Sequence, residues 1–463
     1  MNRNNQIFDD SLNEIIKLYN LNKFDIAESK SRSLIKKHPK SIVIRKVLGN
    51  ILSAQKKFKE SLICFKNILK VKSNDPDALN NLGAVYKEMD QQREAIKYFQ
   101  KAIEAYPKFT IAYNNLGNAY KRDKQFIKAI NSYQQAIKIK PDYAIAYFNL
   151  AATQQTLGKN KDAIYSCAQA IKIKPNYQNA HYVMGNLFKK NANYKEAFKH
   201  FKKVKSPVAK ANELECQYLL KEKKEYNKNL EEILKNDKTN LSVAALNAYV
   251  SHQQKTSDTY PFCPNPLSFI YTKNIKYNFK SFKTFLRNFY KNIQMNNLLW
   301  EPSGHTTRNG YRTIGNLFDL NFPEIINLKR IILAEVEKYK LKYIKRKNTF
   351  ITQWPKKFNL KGWHIRLIKE GYQRPHIHPA GWLSGCFYTK IPRNLKKSEG
   401  AIKFGLHGYD YPIIRKDIPS SYYTPKNGDI VLFPSSLFHQ TVPFFSNEER
   451  HVIAFDIIPN TDA

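Results

Sequence analysis

At 463 residues the chain is long enough for two or three domains, each burying its own core. Its formal charge of +39, from 77 Lys and Arg against 38 Asp and Glu, favours acidic partners, but the lysines are spread along the chain and do not form the basic arm of a nucleic-acid binder. The opening MNRNNQIFDDSLNEIIKLYN has no apolar run after a basic region, so no signal peptide or membrane anchor is expected, and the five cysteines lie far apart without a CxxC pair, as cytoplasmic thiols do.

The first half is periodic. Gly49, Gly83, Gly117, Ala151 and Gly185 recur at a constant step of 34 residues, as do Ala95, Ala129, Ala163 and Ala197, while Pro107, Pro141 and Pro175 close successive units. Leu82, Gly83, Tyr86, Ala95, Phe99, Ala102 and Pro107 reproduce the tetratricopeptide pattern within one unit. Small residues fall where two helices approach, and each proline stops a helix. The period predicts an all-α solenoid of about six repeats over residues 1–211, the first two poorer in the signature, and a helical capping segment over 212–254. Asn81, Asn115 and Asn149 recur at the same step, with Asn118 one turn further on, so amides on the concave face are expected to bind an extended protein or peptide.

From Lys255 the composition changes. KTSDTYPFCPNPLSF reads as a linker leading into a first strand of a domain over 255–463. Residues 279–295 and Pro323–Tyr339 have helical apolar spacing, with Pro323 at a helix start. The segments NTFITQWP, KGWHIRLIKEG, SGCFYTKIP, GAIKFGL, GDIVLFP and HVIAFDII read as short strands, and such strands after two helices predict a jelly-roll barrel with supporting helices.

Within RPHIHPAGWLSG, His376 and His378 are spaced i, i+2, so on a strand both imidazoles face one side. His439, after the apolar run GDIVLFPSSLF, is the natural third ligand. Three imidazoles with open positions suit iron, zinc or copper by ligand type alone. Arg450, opening HVIAFDIIP, is suited to a carboxylate because its fork matches two oxygens. Tyr388 and Ser384 could add hydroxyls there. His364 and His451 read as packing residues that approach the site, and His305 and His407 as loop histidines, the latter within GLHGYDYP, a candidate lid.

Four blocks, WEPSGHTTRNGYRTIGNLF, HIHPAGWLSGCFYTKIP, the run through His439, and ERHVIAF, resemble the 2-oxoglutarate and Fe(II)-dependent oxygenases, in particular a bacterial branch in which a double-stranded β-helix follows tetratricopeptide repeats. The resemblance implies that His376, His378 and His439 hold Fe(II) and that Arg450, with Tyr388, binds the distal carboxylate of 2-oxoglutarate. Most such enzymes have Asp or Glu where this chain has His378, whereas that branch also reads HxH. The reaction implied couples decarboxylation of 2-oxoglutarate to succinate, using O2, with hydroxylation of a C–H bond, here on a protein or peptide presented by the solenoid. The alternatives are a protein-interaction scaffold with a vestigial or structural metal, and three-histidine iron chemistry without 2-oxoglutarate.

Overall fold

The computed structural model describes residues 3–293, 298–301, 306–313, 315–409 and 411–460. The chain divides into two compact units, Met1–Lys190 and Asn191–Ala463.

In the first unit helices alternate in pairs, such as Pro76–Glu88 with Gln92–Ala105 and Thr110–Arg122 with Phe126–Ile139. The 34-residue step has a steric origin. A Cβ on Gly83 would lie 2.7 Å from the Phe99 ring, and one on Gly117 would lie 2.5 Å from Tyr133. One unit later the glycine becomes Ala151 and its facing ring becomes Cys167, a compensating exchange of volume within one small core. Each turn within a pair needs one left-handed residue: Asn22, Lys56, Asp90, Lys124 and Gly158 all have positive φ.

The second unit begins with helical turns and includes the helices Pro207–Leu219, Lys223–Asn236 and Leu241–Gln254. These share one core with the sheet domain: Leu214, Tyr226, Val243 and Tyr249 belong to the same buried cluster as Phe262, Leu328, Tyr339, Phe387 and Phe455. The helix Leu241–Gln254 is buried almost all round, which explains why its apolar residues show no single face.

Among the described residues ten strands follow: β1 (Tyr271–Asn274), β2 (Leu298–Trp300), β3 (Thr307–Thr313), β4 (Phe358–His376), β5 (Leu383–Lys390), β6 (Ile402–Gly405), β7 (Ser420–Tyr423), β8 (Asp429–Pro434), β9 (Phe438–Thr441) and β10 (Arg450–Pro459). The order β1-β8-β5-β10-β4-β9-β6-β7 is antiparallel between neighbours, with β3 pairing β4 and β2. β4 joins the two halves. Residues 358–367 lie along β10, whereas Gln373 and His376 lie against β9. Between these stretches Glu370 takes positive φ and the β3–β4 register shifts, so the strand bends without ending. Alternation buries both faces of the central strands: Ile453, Phe455 and Ile457 join the core shared with the helices, while Val452 and Ala454 join Trp363, Ile365, Tyr388, Phe404 and Phe433 inside the curled sheet.

The helices expected over 279–295 and from Pro323 are Phe282–Ile293 and Pro323–Tyr343; residues 294 and 295 lie outside the described residues. One expected strand is corrected. NTFITQWP contains a short helix, Thr349–Thr352, because the Asn348 side chain caps it by accepting from the Ile351 amide at 3.2 Å. That local bond outweighs the β preference of Thr and Ile.

Candidate metal centre

The bend in β4 sets His376 directly opposite His439 on β9, with ring centroids 4.2 Å apart. His378 follows two residues later, its ring 5.1 Å from His376 and 5.0 Å from His439. One ring nitrogen from each lies within 4.8 Å of the others, a spacing that one cation can bridge.

Hydrogen bonds orient all three rings. Nδ1 of His376 lies 2.7 Å from the Arg374 carbonyl and Nδ1 of His439 lies 3.1 Å from the Leu437 carbonyl. A carbonyl oxygen only accepts, so each Nδ1 carries the proton and each Nε2 keeps its lone pair. Nδ1 of His378 meets the Asp456 carboxylate at 2.5 Å, and the Ser384 hydroxyl donates to the same oxygen at 2.7 Å. A carboxylate behind a ligating imidazole fixes its tautomer and raises its basicity. Burial pushes His376 down to about 3, and it holds His439 well below the usual histidine range. Both are therefore neutral at ordinary pH, as a ligand must be.

Arg450 begins β10 and is 1% exposed. Its Nε donates to the Gly400 carbonyl at 3.1 Å, its guanidinium lies 5.0 Å from the centroid of the Tyr388 ring, and Nη1 has no hydrogen-bond partner among the described residues. The Tyr388 hydroxyl is likewise buried and unpartnered, the Cys386 thiol beside it being a poor substitute for an oxygen. Two buried, orphaned donors, one cationic, fit a carboxylate.

The other expected residues fall elsewhere. Ser384 is engaged with Asp456 and, at 2.8 Å, with Ser435, and so supports His378. His364 and His451 pair with each other at 3.2 Å on the opposite face of the sheet, under Phe289 and Tyr290. His407 bonds the Tyr411 carbonyl at 2.9 Å in a loop, and His305 lies outside the described residues. In the repeats the asparagines form a lateral ladder: Asn115 donates to Asn80 at 3.0 Å and Asn149 to Asn114 at 2.8 Å, while Asn80 approaches Asn81 at 3.4 Å. Asn118 accepts from the Tyr133 hydroxyl at 2.8 Å, between the two helices of its repeat.

Asp456 and Arg312 were not anticipated. Asp456 is a lone acid in the apolar run HVIAFDII, six residues after Arg450 and hence on the same face of the strand, a parity visible in the letters. Arg312 carries no such mark.

Residues 361–456 match the family model described as "Putative 2OG-Fe(II) oxygenase". Tetratricopeptide repeat models match residues 76–109, 98–131, 123–158 and 144–177. The chain therefore carries tetratricopeptide repeats over residues 76–177 and, further on, a region over 361–456 that matches that oxygenase family model. Among solved structures, one of MamA is 25% identical, covering 39% of this chain and 98% of its own at a TM-score of 0.32. One of Pseudomonas aeruginosa pilF is 14% identical, covering 44% and 95% at 0.39. A tetratricopeptide repeat protein from Parabacteroides merdae is 14% identical, covering 49% and 92% at 0.37. No curated protein matches the chain. Among the described residues no helix is long and apolar enough to cross a membrane.

Proposed function

We propose that residues 255–463 form a double-stranded β-helix oxygenase domain that binds Fe(II) through His376, His378 and His439 and 2-oxoglutarate through Arg450 and Tyr388, and that it hydroxylates a protein or peptide bound by the tetratricopeptide repeats of residues 1–211. The antiparallel strand order, with β4 passing from one half of the sheet to the other, supports the jelly-roll reading. The observation that carries the reading is the pair of buried, unpartnered donors of Arg450 and Tyr388 inside the same curled sheet as the three imidazoles.

The iron and its co-substrate, when bound, supply the oxidising power that converts a C–H bond and O2 into an alcohol, with succinate and CO2 as the other products. The chain positions the groups. His376, His378 and His439 would present their Nε2 atoms to the ion, with Asp456 holding His378 in place from behind, and Arg450, buried against the Tyr388 ring, would neutralise a carboxylate. A site of three imidazoles with no anionic ligand would leave a bound cation its full charge for a 2-oxo acid. The asparagine ladder retains acceptor and donor capacity beyond its lateral bonds, which supports capture of an extended backbone.

Fe(II) and 2-oxoglutarate added without oxygen are expected to give a visible metal-to-ligand charge-transfer band. His439→Ala abolishes it, and Arg450→Ala raises the 2-oxoglutarate needed to reach it at least tenfold, as expected from losing a buried bidentate charge pair. A metal-loaded, folded protein without the band would sink the 2-oxoglutarate reading.

A further inference from the structure

The helix Pro207–Leu219 buries polar side chains as well as apolar ones. Glu213 is 5% exposed and Gln217 2% exposed, and at i, i+4 the two stand on one face. That face forms a wall of a cavity of about 800 Å³, the size of a ligand pocket, to which the helix Lys223–Asn236 contributes another wall. Gln217 is already bonded, its oxygen accepting from the Asn229 amide at 3.0 Å. Glu213 is not satisfied in this way, because its Oε1 is buried without a hydrogen-bond partner among the described residues. Burial pushes its carboxyl above the usual range, with Lys210 opposing the shift.

A carboxylate kept at this depth is costly unless a cation meets it. The chain supplies one only in part. The Lys210 ammonium straddles the carboxylate at 3.2 and 3.3 Å, hydrogen-bonding Oε2 alone, from a side chain that is 46% exposed. A cation therefore fits against Glu213, and the one now there can swing into solvent at little cost. The cavity's rim does not choose a sign, since exposed Glu225 and Glu232 are mixed with exposed Lys202 and Lys228. Inside, Glu213 decides it. Val204, Leu214 and Ile233 line the same cavity and offer an apolar path of the kind that the stem of a long basic side chain covers.

We propose that this cavity binds a lysine or arginine side chain of a basic peptide, with the cationic head on Glu213 in place of Lys210 and the alkyl stem along Val204, Leu214 and Ile233. Recognition here is separate from the three-histidine centre, none of whose residues lines the cavity. A guanidinium gains most, because its fork serves both carboxylate oxygens, Oε1 included. A chain of net charge +39 repels basic peptides in general, so affinity for one has to come from a local acid.

The test uses the full chain and a hexapeptide of alternating Gly and Arg that carries a neutral fluorescent dye, with binding read by anisotropy at about 0.15 M salt, where long-range charge effects are screened. The control peptide has citrulline for Arg, which keeps the shape and removes the charge. The arginine peptide is expected to bind at least about tenfold more tightly than the citrulline peptide. Glu213→Gln should remove most of that margin, and Lys210→Met, which withdraws the competing ammonium, should tighten binding by about threefold or more. Glu104→Gln, at an exposed position on a repeat helix, should change neither. The opposite signs of the first two effects separate ligand binding from a packing role, which would weaken binding in both. Thermal midpoints identify any variant that fails to fold, and Lys210→Met, at an exposed position, keeps the test available if Glu213→Gln unfolds. Equal binding of the two peptides by wild type, an unchanged margin in folded Glu213→Gln, or an unchanged or lower affinity in Lys210→Met would each overturn the proposal.

Discussion

Asp456 is the residue through which the outer structure acts on the proposed ligands. It accepts from His378 and Ser384, and its charge is felt by Arg312. Asp456→Ala should lower the affinity for Fe(II) or a Co(II) surrogate by about 10- to 100-fold, the usual cost of losing an outer-shell carboxylate, whereas Asp456→Asn, which can still accept from Nδ1, should lose less. Metal titration of the two variants checks the order. His364 makes a separate prediction. It is 1% exposed, and burial holds it down to about 3 in the fold against about 6.5 in an unfolded chain. The unfolded state therefore takes up the proton first. Its contribution is complete above pH 6.5 and is lost as pH falls from 6.5 toward 3. Thermal midpoints of the metal-free protein should fall over that window, and His364→Phe should flatten the slope. At this scale the letters single out His376, His378, His439 and Arg450 as candidates, because spacing and strand parity are properties of sequence. Arg312 stays hidden there because its place depends on β3 pairing with β4, a contact between segments more than 50 residues apart.

At the scale of elements, the repeat is a steric contract between positions sixteen residues apart. Gly117 leaves no room for a methyl group beside Tyr133, so Gly117→Ala forces the ring to move and should cost about 1–3 kcal/mol, visible as a lowered denaturation midpoint. The double variant Gly117→Ala with Tyr133→Cys, copying the Ala151 and Cys167 pair, should recover part of that loss. Lys124 lies exposed at φ 58, where only glycine is unstrained, and Lys124→Gly should raise stability by about 0.5–1 kcal/mol after the entropy of the unfolded glycine is counted. Repeats are legible in sequence because the same local contact recurs. NTFITQWP misleads for the opposite reason: its β-branched residues indicate a strand, and one capping bond from Asn348 decides for a helix. β2 and β3 are obscure because they contain polar and glycine residues and take their form from β4.

For the whole second unit, the helices of residues 207–254 and the curled sheet are one folding body. Tyr249, 0% exposed, donates from its hydroxyl to the Pro412 carbonyl at 2.6 Å and stacks on Tyr411 at 5.2 Å. The Gln253 side-chain oxygen accepts from the amides of Ile414 and Arg415 at 2.9 and 2.7 Å, tying down the loop that leads to β7. Cutting the chain at Lys255 would uncover this face, exposing Tyr411 and breaking hydrogen bonds to four backbone groups, the Pro412 and Arg415 carbonyls and the Ile414 and Arg415 amides. A fragment beginning at Asn191 is therefore expected to unfold cooperatively and to show the same iron and 2-oxoglutarate band as the full chain, whereas one beginning at Lys255 should bind a hydrophobic dye, lose near-ultraviolet circular dichroism and lack the band. Cooperative unfolding of the shorter fragment with an intact band would make residues 207–254 an appendage of the oxygenase domain and leave its loop geometry independent of them.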